Sequence, residues 1–349
     1  MNFAAILPSR NERATIADVT TAVDTAIGAA DAAILHADSS DTPDTAARFM
    51  ATPTRAAKVP LTGLARGKGG QILAAARHDA ITGADAVLVA DTDTRNPDPD
   101  TYRTLLARIE TGASLAVADY PRHWDEANLT NHLARPLIAA TTGHDIPQPL
   151  AGDIAISRQC LDAALRAAET LPADVAMCVN GYGIDAFLLL TAASVGPIAS
   201  VRVEYAKQHA GSFLHLPTIY HEAVPALLHL TGRRSPPHAG NESGYRIADR
   251  RLEPAQLRSM LTTLDGLASR PDRYDSRPWS FVVAEAWQAV HQGCPPVRAA
   301  RLLWPHYVHR VRDWLTRGQL ATATSRARML SDNHTHLHTA VLALKEPLP

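Results

Sequence analysis

Ala86-Val87-Leu88-Val89-Ala90-Asp91-Thr92-Asp93 runs five apolar residues directly into a carboxylate, a hydroxyl and a second carboxylate. A short apolar run with a polar boundary reads as a fully buried strand. Its flanks decide the fold. Upstream, Lys68 to Ile81 carries Ile72, Leu73, Ala76 and Ile81 at helical spacing; downstream, a Pro-rich loop leads to a helix from about Asp98 to Ile109 and a strand from Ser114 to Ala118. Nearer the N-terminus, Phe3 to Leu7 reads as a strand that stops at Pro8, and Ala32 to Ala37 as another. Between them Thr15 to Ala29 is a helix with Ile16, Val19, Val23 and Ile27 on one face. Strands separated by helices predict an α/β fold with a mostly parallel, buried sheet.

The alternation continues to about Val203. Leu129 to Ala140 is predicted helical, Gly152 to Ile156 a strand, 159–170 and 182–194 helices, and Ile198 to Val203 a strand. Residues 232–245 have the composition of an exposed linker, rich in Gly, Pro, Ser and Arg. Beyond it the pattern is helical only, over Pro254–Leu267, Trp279–His291, Val297–Leu315 and Gln319–Met329. The expected organisation is an α/β domain over 1–231, a linker over 232–245 and a helical region over 246–349. Within that region Trp304, Tyr307, Val308, Val311 and Leu315 fall at helical spacing and read as packing, while Arg298, Arg301, Arg310 and Arg312 read as solvated faces.

Composition excludes several classes. The 349 residues carry 34 Lys and Arg against 35 Asp and Glu, a net charge of −1, which gives no footprint for nucleic acid or anionic membrane. Hydrophobic residues at 46% and charged residues at 20% support a packed core rather than disorder. Cys160, Cys178 and Cys294 are too far apart for a zinc knuckle or disulfide framework, and the first two read as inert core thiols. Pro8 and Arg10 interrupt the N-terminal apolar run too early for a secretory signal, and no stretch reaches the roughly 18 apolar residues of a membrane span. A cytoplasmic protein is expected.

The chemistry gathers around the sheet's carboxyl edge, where ligands sit in open α/β folds. Asp91 and Asp93, with no basic neighbour in sequence to pair them, call for a cation such as Mg²⁺ or Mn²⁺, which takes carboxylate together with phosphate oxygens. The plainer alternative is two loop aspartates capping the next helix. Pro8-Ser9-Arg10-Asn11-Glu12 follows the first strand to the same edge. Gly67-Lys68-Gly69-Gly70 sets a cation and flexible backbone at a helix N-terminus, favourable for phosphate although it lacks the spacing of a P-loop. Lys207-Gln208-His209 closes another strand, and its His can complete a metal site. His334, His336 and His338 do not all share one helical face, so they read as surface.

In order, PSRNERATI, ADSSDTPDT, GKGG, VADTDTRNPDP, ARPLIAA, QPLAGDIAISR, GYGIDAFLLL and KQH resemble retaining glycosyltransferases of the GT-A fold. The resemblance is to the glucosyl-3-phosphoglycerate and mannosylglycerate synthase families and covers about residues 3–230. It implies a GT-A, Rossmann-like nucleotide-sugar domain with a C-terminal helical appendage. It also implies a divalent metal held by Asp93 and His209, with Asp91 at the donor ribose or the metal's outer shell. Pro8, Arg10 and Glu12 would border the nucleotide, Lys68 the diphosphate and Gly152 the sugar. Asp153 and Asp185 would support charge at the sugar or position the acceptor, and a homodimer is expected.

Three departures matter. Asn128 stands where the phosphoglycerate enzymes carry a phosphate-binding Arg, although Thr130 is kept as an acceptor contact. Ala210-Gly211 replaces polar acceptor contacts, and Asp153 is one methylene shorter than the usual Glu. Loss of a guanidinium removes a bidentate phosphate contact, so the acceptor is expected to be a small polar metabolite other than 3-phosphoglycerate. The donor leans to a GDP-sugar over a UDP-sugar through GYGID. The rival readings are a sugar-phosphate nucleotidyltransferase, whose Gly-rich N-terminal loop is missing, and a catalytically silent nucleotide-sugar-binding scaffold.

Overall fold

The computed structural model describes residues 1–29, 31–209, 211–232, 244–268 and 277–345. Most of the predicted linker, 233–243, lies outside them, as does Ala210. The chain opens as β1 (Phe3–Ser9), α1 (Ile16–Ile27), β2 (Ala33–Asp38), α2 (Asp44–Ala51) and β3 (Ala57–Leu61). It continues as α3 (Lys68–Ala76), α4 (Asp79–Thr82), β4 (Ala86–Val89), α5 (Pro99–Glu110) and β5 (Leu115–Asp119). A short β6 (Arg122–His123) precedes a π-helical turn (Thr130–Ala134) and α6 (Arg135–Thr142). Next come β7 (Ile154–Ser157), α7 (Arg158–Ala168), α8 (Ala173–Val179), α9 (Ile184–Val195) and β8 (Ile198–Arg202). The rest is α10 (Leu216–Leu230), β9 (Ile247–Ala248), α11 (Pro254–Leu267), α12 (Trp279–His291), α13 (Pro296–Gly318) and α14 (Ala323–Lys345).

Two compact units emerge: Met1–Tyr120 with Leu150–Ala210, and Pro121–Pro149 with Gly211–Pro349. The first holds a seven-stranded sheet in the order β3-β2-β1-β4-β7-β5-β8. Every neighbouring pair is parallel except those of β7, which runs antiparallel to β4 and β5. The apolar strand residues Ile6, Leu7, Leu35, Val87 and Leu88 are fully buried, as a sheet covered on both faces requires. Strand order reverses at β1, between β2 and β4, the place where α/β sheets open a crevice for ligands.

Several expectations need correction. β1 does not stop at Pro8 but runs to Ser9, with Pro8 paired to Ala37, because a proline retains its carbonyl for one side of the ladder. The predicted helix 68–81 breaks in two after Ala76, with His78 Nδ1 accepting from the Ala80 amide to cap the second piece. α2, β3, α8 and α10 are additions to the predicted pattern. β3, half-exposed with Lys58 and Pro60, is an edge strand and lacks the apolar run that marks a buried one. The last helix runs over Ala323–Lys345 rather than stopping near Met329, and β9 pairs with β6, so the second unit is not helical only.

The units also divide differently from the predicted boundary at 231. Residues 121–149 and 211–230 group with the C-terminal helices because α6 packs against α14, and α10 against α12 and α13. In this unit Tyr307, Val308, Val311 and Leu315 are buried, and Tyr307 lies against Tyr220 at 4.8 Å between centroids. Arg310 is half-buried near His132 rather than on a solvated face. Among the described residues no single helix is long and apolar enough to cross a membrane.

Candidate active site

The carboxyl ends of β1 and β4 are laced together before any ligand arrives. Thr92 Oγ1 donates to the Pro8 carbonyl at 2.7 Å, and Thr15 Oγ1 donates to the Thr92 carbonyl at 2.6 Å. Thr92 is thereby buried, and its neighbours Asp91 and Asp93 are left at the edge. Across the crevice, Gly152 approaches so closely that a Cβ there would lie 2.1 Å from Asp91 Oδ1. Glycine is required at this position by the carboxylate beside it.

Asp91 is not the unpaired carboxylate that its sequence neighbours imply. Lys68 Nζ lies 3.0 Å from its Oδ1 and Lys207 Nζ 2.9 Å from its Oδ2. Lys68 also reaches Asp185 at 2.9 Å, and Lys207 reaches Asp153 at 2.7 Å. Signs therefore alternate along a chain of Asp185, Lys68, Asp91, Lys207 and Asp153. Burial alone would raise Asp91's pKa, but the two ammonium groups, Lys207 first, hold its carboxyl well below the usual range. The same carboxylates outweigh burial at Lys68 and Lys207 and hold both pKa values above the usual lysine value. Asp185 is pushed up to about 6, chiefly by burial, with Lys68 opposing.

Asp153 is fully buried and meets three donors: the Asp91 amide at 3.0 Å, the Tyr120 hydroxyl at 2.9 Å and Lys207. It sits just before β7, and the reversed direction of that strand brings its start to the same edge as the parallel strands' ends. Lys207 and Tyr120 belong to this cluster, and the sequence reading gave neither of them a role. The alternate spacing of Lys207 and His209 at a strand's end was the available signal for the lysine; nothing local marks the tyrosine.

Asp93 Oδ2 lies 3.8 Å from His209 Nδ1. Donors that each sit about 2.1 Å from an ion such as Mg²⁺ can be at most about 4.2 Å apart, so one ion can bridge this pair. Burial first, and Asp91 second, push the Asp93 carboxyl up, with Lys207, His209 and Lys68 opposing. Glu12, also pushed up by burial and then by Asp93, stands nearby. Among the described residues no group of three or more His, Cys, Asp or Glu gathers as a complete metal cage. A two-ligand protein site suits an ion that shares its remaining positions with phosphate and water.

The other predicted residues are placed as follows. Arg10 pairs with Asp41 at 3.5 Å, and Asn11, at φ 62, exchanges bonds of 2.9 Å with Asp41, which zips the loops after β1 and β2. The amides of Gly69 and Gly70 donate to the carbonyls of Gly181 and Asn180 at 3.2 and 2.8 Å. They are therefore not offered to phosphate as the Gly67-to-Gly70 pattern predicts; a Cβ at Gly69 would lie 1.8 Å from the Val179 carbonyl oxygen, so its glycine serves close packing. Of that pattern only Lys68 faces the crevice carboxylates. Asn128 and Thr130 are buried in the second unit, where Asn128 Nδ2 donates to the Asp125 carbonyl at 3.1 Å and its Oδ1 has no partner.

No known family's sequence pattern matches the chain, and neither does any curated protein. Solved structures do. Glucosyl-3-phosphoglycerate synthase from Mycobacterium tuberculosis in complex with phosphoglyceric acid is similar at 25% identity and a TM-score of 0.52, over 67% of this chain and 81% of that one. The same enzyme with Mn²⁺, UDP-glucose and glycerol 3-phosphate is similar at 26% identity and a TM-score of 0.52, over 67% and 82%. Its complex with Mg²⁺ and UDP is similar at 25% identity and a TM-score of 0.52, over 67% and 81%. The chain thus resembles a GT-A glycosyltransferase, with the mostly parallel sheet and the C-terminal helices that the sequence predicts.

Proposed function

We propose that this chain is a metal-dependent glycosyltransferase that moves a sugar from a nucleoside-diphosphate donor to a small polar acceptor. The observation that carries the reading is the convergence of the Asp93–His209 pair with buried Lys207 and half-buried Lys68 on one crevice at the β1/β4 switch point. A nucleoside diphosphate brings a concentrated negative charge, and permanent ammonium groups in a low-dielectric edge oppose it. Asp93 and His209 would hold a divalent ion, Mg²⁺ or Mn²⁺, which when bound neutralises the diphosphate as a leaving group. Pro8, Arg10 and Glu12 border the nucleotide, and Gly152 borders the sugar. The neighbours' complexes with Mn²⁺ or Mg²⁺ and UDP support the metal and the donor class.

Transfer proceeds with retention, by attack on the same face that the diphosphate leaves, the departing phosphate oxygen accepting the acceptor's proton. No side chain of the site stands out as a nucleophile, since Asp91, Asp153 and Asp185 are each tied to a lysine. Asp185, beside Lys68, supports charge or positions the acceptor. Guanine is favoured by the Gly181-to-Asp185 match and uracil by the neighbours' ligands, so both enter the test. The enzyme acts as a homodimer; exposed Phe281, Leu302 and Leu320 on the second unit supply apolar surface for that contact, which light scattering checks.

The test is a mass-spectrometric acceptor screen with GDP- and UDP-sugars, run with and without EDTA. Sugar transfer lost on chelation and restored by Mn²⁺ is the expected result. Transfer of a nucleotidyl group instead, or nucleotide binding without turnover for any acceptor, would replace this reading with one of its rivals.

A further inference from the structure

A carboxylate placed to grip a sugar hydroxyl must keep an oxygen open to the crevice. Asp153 does not. Its side chain is fully buried; Oδ1 accepts from the Asp91 amide, and Oδ2 accepts from both Tyr120 Oη and Lys207 Nζ. Oδ1 keeps a second lone pair, but with the whole side chain buried a sugar hydroxyl could reach it only by pushing aside the groups that cover it. Lys207 is the opposite case. An ammonium has three protons, and two of these point at Asp153 and Asp91. The third meets no acceptor among the described residues. Tyr120 closes the far side, its ring centroid 5.7 Å from Nζ, so the ammonium has little freedom to swing away.

We propose that Asp153 and Tyr120 are positioning residues for Lys207, and that Lys207 so held contacts the donor's diphosphate while Asp153 touches no sugar. This rests on the glycosyltransferase reading. Asp153 acts through charge and geometry: it balances one half of the ammonium, leaving Asp91 to be shared with Lys68, and it keeps the remaining proton for the diphosphate. Tyr120 fixes the carboxylate by its hydroxyl and fills the space behind it. A shorter carboxylate fits this role, because an anchor inside the protein need not reach the ligand.

The experiment titrates the full chain in the presence of Mn²⁺ with three ligands per base: uridine, UDP and UDP-glucose, and guanosine, GDP and GDP-mannose. Nucleosides are followed by ligand-observed NMR, and the others by calorimetry. Asp153→Asn is expected to leave nucleoside binding unchanged, weaken the diphosphate about tenfold through a lost charge-assisted contact, and weaken the nucleotide sugar by the same factor and no more. Tyr120→Phe, the milder change, is expected to show the same pattern at smaller size. In a Lys207→Met background, Asp153→Asn is expected to add nothing, as two residues acting through one contact must. The proposal is overturned if Asp153→Asn or Tyr120→Phe spares the diphosphate and weakens only the nucleotide sugar. It is overturned equally if nucleoside binding falls alongside, or if the two substitutions add in the double variant. A wild-type chain that binds no nucleoside diphosphate overturns the glycosyltransferase reading itself, and this inference with it.

Discussion

Asp93 and Asp91 have the same functional group two residues apart, and their environments give them different work. Asp91 is neutralised internally by Lys68 and Lys207, whereas Asp93 is paired, among the described residues, with His209 at 3.8 Å and is pushed up by burial. Asp93→Ala and His209→Ala should each lower turnover by at least about a hundredfold, since on the proposed reading each removes a protein ligand from the ion that would stabilise the leaving group. Steady-state rates across a Mn²⁺ titration check this, and full activity of either variant without metal would contradict the assignment. Asp185, pushed up to about 6, is protonated below that value and then no longer balances Lys68. Activity is therefore expected to fall on the acid side with an apparent pKa near 6, and Asp185→Asn to flatten that limb of the pH–rate profile. At Asn128, an amide carries no charge against a phosphate dianion. The wild-type chain should use 3-phosphoglycerate poorly, seen as a kcat/KM at least about tenfold below that for an uncharged acceptor, the value of one charge-assisted hydrogen bond.

Among the elements, the π-helical turn Thr130–Ala134 has a covalent origin. Pro136 lacks the N–H that would meet the carbonyl four residues earlier, at His132. That carbonyl accepts instead from Trp279 Nε1 at 2.8 Å and Asn333 Nδ2 at 3.3 Å, from α12 and α14. Trp279→Phe should thus destabilise the protein by about 1 kcal/mol, the usual net value of one hydrogen bond, because Asn333 still reaches the carbonyl. Pro136→Ala, which restores a local donor, should recover part of that loss, and urea unfolding of the two single variants and the double variant measures it. This coupling was invisible in the sequence, because Trp279 and His132 are 147 positions apart. Elements were legible where burial is uniform: β1, β4 and β5 announce themselves as unbroken apolar runs, and the bounds of α11 and α12 match their periodicity. β3 was not legible, because an edge strand half in solvent needs no such run. In the crevice, Asp93, His209, Lys68 and Gly152 could be read from short local motifs. The pairing of Lys207 with Asp91 and Asp153 could not, since it depends on three strands meeting at one edge.

For the molecule as a whole, acid stability has an identifiable contributor inside the sheet. His36 is fully buried, with Nε2 2.5 Å from Ser9 Oγ and its ring stacked on Phe49 at 4.8 Å. Burial lowers its pKa from 6.5 to about 4, against the opposing pull of Asp38. A depressed histidine contributes fully above the unfolded value of 6.5 and loses that contribution as pH falls toward about 4, because the unfolded chain takes the proton first. The loss amounts to about 3 kcal/mol at most over that window. Asp185, with its raised pKa, runs in the opposite direction, so wild-type stability alone does not isolate the effect. The difference does: relative to wild type, His36→Gln should gain stability as pH is lowered from 6.5 to 4, measured as the change in Tm between the two proteins.

The reversed strand β7 also governs the order in which the chain can assemble as it leaves a ribosome. β5 and β8 join the rest of the sheet only through β7, whose residues are synthesised after β5 and before β8. When residue 149 has emerged, β1 to β4 can already pair, but β4 presents an open edge and β5 has neither of its neighbours. An unpaired apolar edge is a template for association with other chains. Nascent chains stalled there should need chaperone capture, whereas chains stalled after 205, with β7 and β8 in place, should resist protease as a folded unit. The same insertion that brings Asp153 to the crevice thus makes the crevice one of the last parts of the sheet to exist.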